Sequence, residues 1–292
     1  MIVPFYGTDA ALQALLGRLR AVRTRPDDTV TVVDNRPLAP PAWRHGHIDI
    51  VPAPGEQSSY HARNAGARAG HNPWLLFIDA DVVPPPDLLD RYFDPPLGER
   101  VGVVAGAIRD APARPEDGVA ARYAYLEQTL AHENVLGGAH PFAQTANALV
   151  RRAALSAAGG FTEGIRSGGD ADLCFRIVAL GWTLEQRPAT VEHQGRSSVA
   201  KLLRQYLRYG AGAAWLDARR PGFLEVRPWS NVVYGTVRGA AAAAWHALRR
   251  DRDAAIVAGL RPLTRAAFRI GSYLPNAAVP RHELVRRVLR RQ

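Results

Sequence analysis

The stretch Trp74-Leu75-Leu76-Phe77-Ile78-Asp79-Ala80-Asp81 decides how this sequence folds and where its chemistry lies. Five apolar residues in a row, without alternation, predict a strand that is buried on both faces of a sheet. The run stops at two aspartates, which would stand at the carboxyl end of that strand, where open α/β sheets bind ligands. In an extended segment both carboxylates point the same way and could hold one Mg²⁺. The alternative is a solvated turn leading into Val82.

Over the first 105 residues, short strand-like runs alternate with helix-like segments. That alternation predicts a doubly wound, largely parallel sheet with helices on both faces. The predicted strands are 2–3, 29–33, 47–51, 74–78 and 101–105, and the predicted helices are 10–20 and 58–70. The residues that follow the strands should meet at one edge of the sheet. They are Pro4-Phe5-Tyr6, Asp34-Asn35 and Asp79-Ala80-Asp81.

A second acidic pair, Asp170 and Asp172, lies farther along the chain. The segments around it predict a loop (109–118), a strand (146–150) and helices (119–132, 153–158 and 171–180). Either carboxylate could take a proton from a hydroxyl as a general base. The alternative is structural, because Asp170 suits a helix N-cap and Asp172 suits the positive end of a helix dipole.

Arg63, Asn64 and His193 are further candidates for ligand contacts. A guanidinium can bind a phosphate through two parallel hydrogen bonds. His193 follows a predicted strand end, and a neutral imidazole can ligate a metal. Each has a plain alternative: Arg63 on a solvated helix face, and His193 as a structural histidine.

Charge is divided unevenly along the 292 residues, whose net charge is +10. Residues 196–292 hold 19 Lys and Arg against 5 Asp and Glu, whereas residues 1–195 hold 18 against 22. We therefore expect a domain boundary near Arg196. The basic region predicts an anionic partner such as a membrane surface or nucleic acid. The alternative is an Arg-rich genome composition, since Lys201 is the only lysine.

Composition and motifs exclude several classes of protein. The single cysteine, Cys174, cannot build a disulfide framework or a cysteine zinc site. No apolar run reaches about 18 residues, the length that predicts a membrane-spanning helix. No leader-like pattern follows Met1, so we expect a cytoplasmic protein. The chain also lacks the P-loop, HExxH and GxSxG motifs.

Together these motifs resemble the family 2 glycosyltransferases of the GT-A fold, of the bacterial, non-processive type. The similarity spans roughly residues 1–210 and follows the family's order of motifs. The matching segments are Val3-Pro4-Phe5-Tyr6, Val32-Val33-Asp34-Asn35, Ala62-Arg63-Asn64-Ala65-Gly66, Phe77-Ile78-Asp79-Ala80-Asp81, Asn147 with Arg151-Arg152 and Gly159-Gly160-Phe161, and Gly169-Asp170-Ala171-Asp172-Leu173 with Arg176. Two departures stand out. The family's Glu before the base Asp is Gly169 here, and the first strand is unusually short, with only Ile2 and Val3 before Pro4. The Gln-x-x-Arg-Trp motif of processive polymerases is absent, which argues against a cellulose- or chitin-type synthase.

The resemblance implies a three-layer αβα GT-A domain with a mostly parallel sheet over residues 1–195. Its nucleotide-binding half would cover 1–105 and its acceptor half 106–195, with a basic helical C-terminal region over 196–292. It implies an inverting hexosyltransferase. The sugar would pass from a UDP- or GDP-linked donor to a hydroxyl of a glycan, a lipid-linked molecule or a small molecule, in cell-envelope glycan synthesis.

The resemblance also implies roles for particular residues. Asp170 would be the general base. A Mg²⁺ or Mn²⁺ ion on the donor diphosphate would be held by Asp79, Asp81 and His193. The nucleotide-sugar would contact Pro4, Tyr6, Asp34, Arg63, Asn64 and Asp79. The acceptor side would comprise Gly169, Asp172 and Arg176.

Two other functions remain open at this point. A sugar-phosphate nucleotidyltransferase needs a Gly-rich, basic loop after the first strand, whereas residues 5–9 contain one glycine and no Lys or Arg. A non-catalytic module of the same fold could dock anionic ligands, but intact Asp79, Asp81 and Asp170 favour an enzyme. No nucleic-acid partner is expected. The basic tail would place a cytoplasmic enzyme peripherally on the inner face of the plasma membrane.

Overall fold

The computed structural model of the chain describes residues 1–114, 117–130, 136–195, 198–225 and 228–289. They form two compact units. The first takes its described residues from Met1–Ile108, His132–His193 and Ala277–Gln292, and the second from Arg109–Ala131 and Gln194–Asn276. The domain limits expected from the sequence stay predictions.

Eleven strands are described. They are β1 (Ile2–Phe5), β2 (Val30–Asp34), β3 (Trp43–His45), β4 (Ile48–Pro52), β5 (Glu56–Gln57), β6 (Trp74–Ile78), β7 (Val82–Val83), β8 (Val101–Asp110), β9 (Asn147–Arg151), β10 (Thr183–His193) and β11 (Val279–Pro280). Nine of them make one sheet in the order β3-β4-β2-β1-β6-β9-β8-β10-β7, while β5 and β11 pair separately. Strands β4, β2, β1 and β6 run parallel. Strand β9 is antiparallel to both of its neighbours, β6 and β8.

The parallel strands are apolar because helices cover both faces of the sheet. All five residues of β2 are buried, as are four of the five in β6. The α/β class with C-terminal helices, expected from the sequence, is confirmed. Strand β8 is twice as long as expected, because it lies between β9 and β10 and is bonded on both edges. The expected loop therefore begins only after Asp110.

Ten helices are fully bounded in the described residues. They are α1 (Asp9–Leu19), α2 (Ser59–Arg68), α3 (Leu88–Phe93), α4 (Gly118–Glu127), α5 (Arg152–Ala157), α6 (Gly169–Ala179), α7 (Val199–Asp217), α8 (Trp229–Leu248), α9 (Arg252–Gly271) and α10 (Arg281–Leu289). The Thr8 side chain caps α1, and the Ser58 side chain caps α2. Helix α2 packs closely on the sheet, since a Cβ on Gly66 would lie 2.5 Å from Ile2.

The second unit is built from α4, α7, α8 and α9. Tyr123 of α4, Leu202 of α7 and Leu260 of α9 share one apolar cluster. The Ser198 side chain caps α7. Of the helices that the structure describes, none combines the length and the apolar composition needed to cross a bilayer.

Candidate active site

The two aspartates of the deciding stretch lie in a turn between β6 and β7. Strand β6 ends at Ile78, and the Val82 amide donates to the Asp79 carbonyl at 3.3 Å. The expectation of an extended segment is therefore wrong. A turn allows the chain to reverse toward the edge strand β7, so the positions of the two carboxylates do not come from strand alternation.

Strand pairing brings His193 to Asp81. Strand β10 runs antiparallel to β7, and His193 at its end stands opposite Val82. The Nε2 atom of His193 lies 3.5 Å from Oδ2 of Asp81. The imidazole is buried, whereas the carboxylate is partly accessible. A carboxylate oxygen and a ring nitrogen are thus adjacent at one sheet edge.

Asp79 is bound by Arg63 of α2. The guanidinium donates to Oδ1 of Asp79 at 2.5 Å and lies over the Tyr60 and Phe161 rings. Burial raises the pKa of Asp79, and the positive charge of Arg63 opposes that rise. The neighbouring charges of Asp81 and Asp170 raise this pKa further, while His193 lowers it. Two further carboxylates, those of Asp81 and Asp170, therefore lie close enough to Asp79 to affect its charge.

Asp170 lies in the first turn of α6, whose N-cap is Gly168 in a left-handed conformation with φ 83°. The structural alternative that made Asp170 the N-cap is therefore wrong. Glycine adopts positive φ without the clash that a Cβ would cause. The Asp170 carboxylate instead accepts a hydrogen bond from the Tyr60 hydroxyl at 3.1 Å.

Asp172 and Arg176 belong to a network that holds α6 to the preceding turn. Oδ2 of Asp172 accepts hydrogen bonds from Thr162 at 2.8 Å and from Arg176 at 2.8 and 3.1 Å. Arg176 also donates to the carbonyls of Ala158 and Gly160. These contacts account for both residues structurally, and their acceptor-side roles stay predictions.

Asn64 is likewise occupied by internal contacts. Its Nδ2 donates to the Phe161 carbonyl at 2.9 Å and to Glu163 at 2.7 Å, while its Oδ1 accepts from the Phe161 amide at 2.9 Å. The side chain fixes the 161–163 segment on α2. A nucleotide contact by Asn64 remains a prediction that would require exchange of one of these bonds.

The other expected residues lie in or next to β1 and at the end of β2. Asp34 at the end of β2 has an almost fully buried side chain, 1% exposed, and forms hydrogen bonds of 2.6 to 3.0 Å with Arg36. Pro4 lies in β1 beside Val33 of β2. Tyr6 follows β1 and is 49% exposed, so its ring is accessible to a ligand.

Arg18 and Tyr60 contact the site and were missed from the sequence. Arg18 of α1 donates to the Ala80 carbonyl at 2.7 Å, inside the turn of the two aspartates. Burial lowers the pKa of Arg18, and the nearby charge of Asp81 opposes that effect. No local pattern marks either residue. The contact from Arg18 to Ala80 and the one from Tyr60 to Asp170 each join segments far apart in the chain.

Another group of metal-type side chains lies in the described part of the first unit. The ligand atoms of Glu56, His61 and Glu163 fall within 4.8 Å of one another. His61 is 2.7 Å from Glu163, and Glu56 accepts from the Gly164 amide at 2.9 Å. These hydrogen bonds explain the grouping without an ion.

The edge of the sheet thus combines carboxylates, one imidazole and two guanidiniums. Oxygen and imidazole donors suit a divalent cation such as Mg²⁺ or Mn²⁺. Arg18 and Arg63 are able to contact anionic oxygens of a phosphate. The arrangement fits a phosphorylated ligand bound with a metal, next to a carboxylate, Asp170, that can accept a proton.

Comparisons with known proteins show the family and the fold of the chain. A family model described as glycosyltransferase like family 2 matches residues 1–212. A pre-mycofactocin glycosyltransferase of Mycobacterium tuberculosis is 29% identical over 241 residues, covering 76% of this chain and 48% of that protein. Glycosyltransferase AglE of Haloferax volcanii is 26% identical over 227 residues, covering 73% of this chain and 71% of that protein. The chain spans about half the length of the mycobacterial relative.

A solved structure shares the fold. The mannosyltransferase PcManGT from Pyrobaculum calidifontis, in complex with GDP-Man and Mn²⁺, superposes with a TM-score of 0.55 at 17% identity. The match covers 91% of this chain and 85% of that one. The GT-A fold expected from the sequence motifs is confirmed.

Proposed function

The chain belongs to the glycosyltransferase-like family 2, and from that premise we propose that it transfers a sugar from a nucleotide-diphosphate sugar to a hydroxyl acceptor. The observation that carries the proposal is that Asp81 and Asp170 lie close enough to Asp79, just after the end of β6, for their charges to raise its pKa. The donor would be UDP- or GDP-linked. The GDP-mannose complex of PcManGT is consistent with the second of these.

The residues present fit a divalent cation. Asp81 and His193 offer an oxygen and a nitrogen 3.5 Å apart, and Asp79 offers a second carboxylate once Arg63 turns toward the ligand. A bound Mg²⁺ or Mn²⁺ would offset negative charge on the leaving nucleotide diphosphate. Arg63 and Arg18 would bind phosphate oxygens of the donor, because both guanidiniums already lie against this turn.

Asp170 is the general base in this proposal. Its carboxylate is half-buried beside the other two aspartates. It would take the proton of the acceptor hydroxyl as the oxygen attacks the anomeric carbon from the side opposite the diphosphate. One displacement of this kind inverts the configuration at that carbon. General base catalysis contributes about 10²–10⁴-fold to the rate.

The test uses the purified chain with a panel of UDP- and GDP-sugars. We expect release of nucleoside diphosphate that needs Mn²⁺ or Mg²⁺ and stops in EDTA. Asp81→Asn should lower the rate by about 100-fold or more, because one metal ligand charge is lost. Asp27→Asn is the matched control, since Asp27 is an exposed aspartate in the same unit. Full activity of Asp81→Asn would contradict the metal assignment.

The location of the enzyme at a membrane surface is part of the same proposal. The basic character of residues 196–292 suits contact with an anionic membrane surface. Such contact would hold the enzyme peripherally near a lipid-linked or membrane-proximal acceptor in cell-envelope glycan synthesis. Glycan and small-molecule acceptors are tested with the same panel of UDP- and GDP-sugar donors.

A further inference from the structure

Helix α8 carries its large apolar side chains on the outside. Its contact with α9 is made by small residues, since a Cβ on Gly239 would lie 2.5 Å from Pro262. On the opposite face Val233, Val237 and Leu248 are 59%, 65% and 85% exposed. A surface helix of a globular protein normally turns such residues toward the core. Another surface is therefore expected to cover this face.

Exposed aromatic rings next to arginines extend the apolar face. Arg249 lies 4.0 Å from the centre of the Trp245 ring. Trp229 stacks on Tyr273, and Arg269 lies over both rings at 5.3 and 4.5 Å. Trp and Tyr rings are enriched at the boundary between lipid and water. Arginine can place its stem on apolar surface while its charge reaches the phosphates.

The charge around α8 complements an anionic surface. Residues 198–276 contain 13 Lys and Arg against 4 Asp and Glu, and α8 itself has no acidic residue. A cavity of about 590 Å³ lies between α8 and α9. Its lining includes Arg238, Arg265 and Arg269, as well as Glu225, which is acidic, and Arg261, which is paired with Glu127. Anionic headgroup phosphates match this lining in charge and in hydrogen-bonding chemistry.

We propose that the outer face of α8 lies in the headgroup region of an anionic bilayer, with the helix axis parallel to the membrane. The helix has 20 residues, and a helix of that length measures about 30 Å. Like the other described helices it does not meet the requirements for a spanning segment, so an in-plane position suits it. The inference names the contact surface for the proposed peripheral setting and does not depend on transferase activity.

The test measures sedimentation of the full chain with vesicles. We expect binding to phosphatidylglycerol vesicles, weak binding to phosphatidylcholine vesicles, and a decrease with salt. Val237→Glu should reduce binding by about tenfold or more, because a charge enters the apolar face. Val178→Glu is the matched control, since Val178 is an exposed helical valine of the first unit. It should bind as the unchanged chain does.

Two results would overturn the proposal. One is negligible binding of the unchanged chain to both kinds of vesicle. The other is a soluble dimer that Val237→Glu converts to monomers, which would assign this face to a second copy. Nucleotide-sugar turnover is measured separately without vesicles, so a failure of the enzymatic function would not be confused with either result.

A second inference concerns Tyr60 and Gly169 in the first unit. The Tyr60 ring is buried, stacks on Phe161 and donates its hydroxyl to Asp170. A Cβ on Gly169 would lie 2.9 Å from three carbon atoms of that ring. No side chain fits at residue 169 as long as the Tyr60 ring lies where it does in this structure. The ring therefore occupies the space that a side chain at position 169 would need.

We infer that Tyr60 is a positioning residue for the proposed base, Asp170. Its hydroxyl fixes one oxygen of Asp170 and leaves the other for the acceptor. Burial raises the pKa of Tyr60 well above its usual value, so the hydroxyl keeps its proton at neutral pH. The inference rests on the proposed transferase function.

Tyr60→Phe keeps the ring and removes the hydroxyl. We expect kcat to fall by about tenfold, the factor for one hydrogen bond, with the donor KM and the melting temperature nearly unchanged. An unchanged kcat would overturn the inference. An inactive unchanged chain would instead contradict the proposed function.

A reciprocal exchange tests the shared space. Gly169→Ala should lower the melting temperature clearly, and the same change in a Tyr60→Ala background should not. Gly17→Ala is the control, since a Cβ there meets nothing within 4 Å. If Gly169→Ala is as stable as Gly17→Ala, the ring does not exclude a side chain at 169.

Discussion

Asp170 and Asp172 are two identical side chains in one helical turn, but their surroundings differ. Asp172 is held by Thr162 and Arg176, whereas Asp170 interacts with the Asp79 and Tyr60 side chains. Spacing could not separate a base from a structural carboxylate, because both positions suit the first turn of a helix. The two aspartates are distinguished by their contacts, because Asp170 contacts α2 and Asp172 contacts the segment that precedes α6.

Asp170→Asn should abolish turnover and leave donor binding nearly intact. The amide cannot accept the acceptor proton, and general base catalysis is worth about 10²–10⁴-fold. Steady-state rates and isothermal titration with the donor check the two parts. Asp172→Asn is the matched control and should lower stability more than the rate, since it weakens the pair with Arg176. If Asp172→Asn is inactive and Asp170→Asn is active, Asp172 is the general base and Asp170 the structural residue.

Cys174 gives a second prediction at this scale. Burial raises the pKa of its thiol to about 12. At pH 8 the thiolate fraction is then about 1 in 10,000, against roughly 1 in 4 for an exposed thiol with a pKa near 8.5. Because the thiolate is the nucleophile, we expect very slow reaction with a disulfide reagent in buffer and fast reaction in urea. Fast labelling of the folded chain would contradict the buried position.

At the level of elements, the central strands were predictable because each is a short apolar run with polar residues on both sides. The run at 74–78 coincides with β6. The strand predicted at 101–105 was too short. Residues beyond Ala105 belong to β8 because they pair with a distant strand, and their own hydrophobic pattern does not predict it. The two-residue strand β7, which positions Asp81 beside His193, carries no periodic signal at all.

The crossing of α7 and α9 depends on two glycines. A Cβ on Gly210 would lie 1.9 Å from the Phe268 carbonyl oxygen, and one on Gly271 would lie 2.1 Å from the Leu207 carbonyl oxygen. Neither contact is with a flexible side chain, so the helix backbones would have to separate. The close approach therefore requires glycine at both positions.

Gly210→Ala should lower the free energy of unfolding by about 1–3 kcal/mol, as overpacking commonly does. Gly235→Ala is the matched control in α8, where a Cβ meets nothing within 4 Å. It should be neutral or raise stability by up to about 1 kcal/mol, since alanine favours the helix. Urea unfolding followed by circular dichroism measures both. Equal stability of the two variants would contradict the close crossing.

For the whole molecule, charge asymmetry predicted a basic C-terminal region, and α7, α8 and α9 confirm the helices that the family resemblance implied there. The membership of α4 in the same unit could not be predicted. It depends on pairs such as Arg122 with Asp253 at 2.6 Å and Glu127 with Arg261 at 2.6 Å, which join segments about 130 residues apart. No spacing rule relates charges at such separations.

Ligand binding to the first unit should slow the chemical labelling of the Cys174 thiol. The thiol lies in α6, the helix that begins beside Asp170, and is labelled only when this unit opens. Donor nucleotide with Mn²⁺ binds the folded state alone, so ligand at 100 times its Kd should stabilise that state by about 2.7 kcal/mol and slow labelling by about 100-fold. EDTA should remove the protection, and Asp81→Asn should show none. Unslowed labelling at saturating Mn²⁺ and nucleotide, in a chain that turns over donor, would place the donor site outside the first unit.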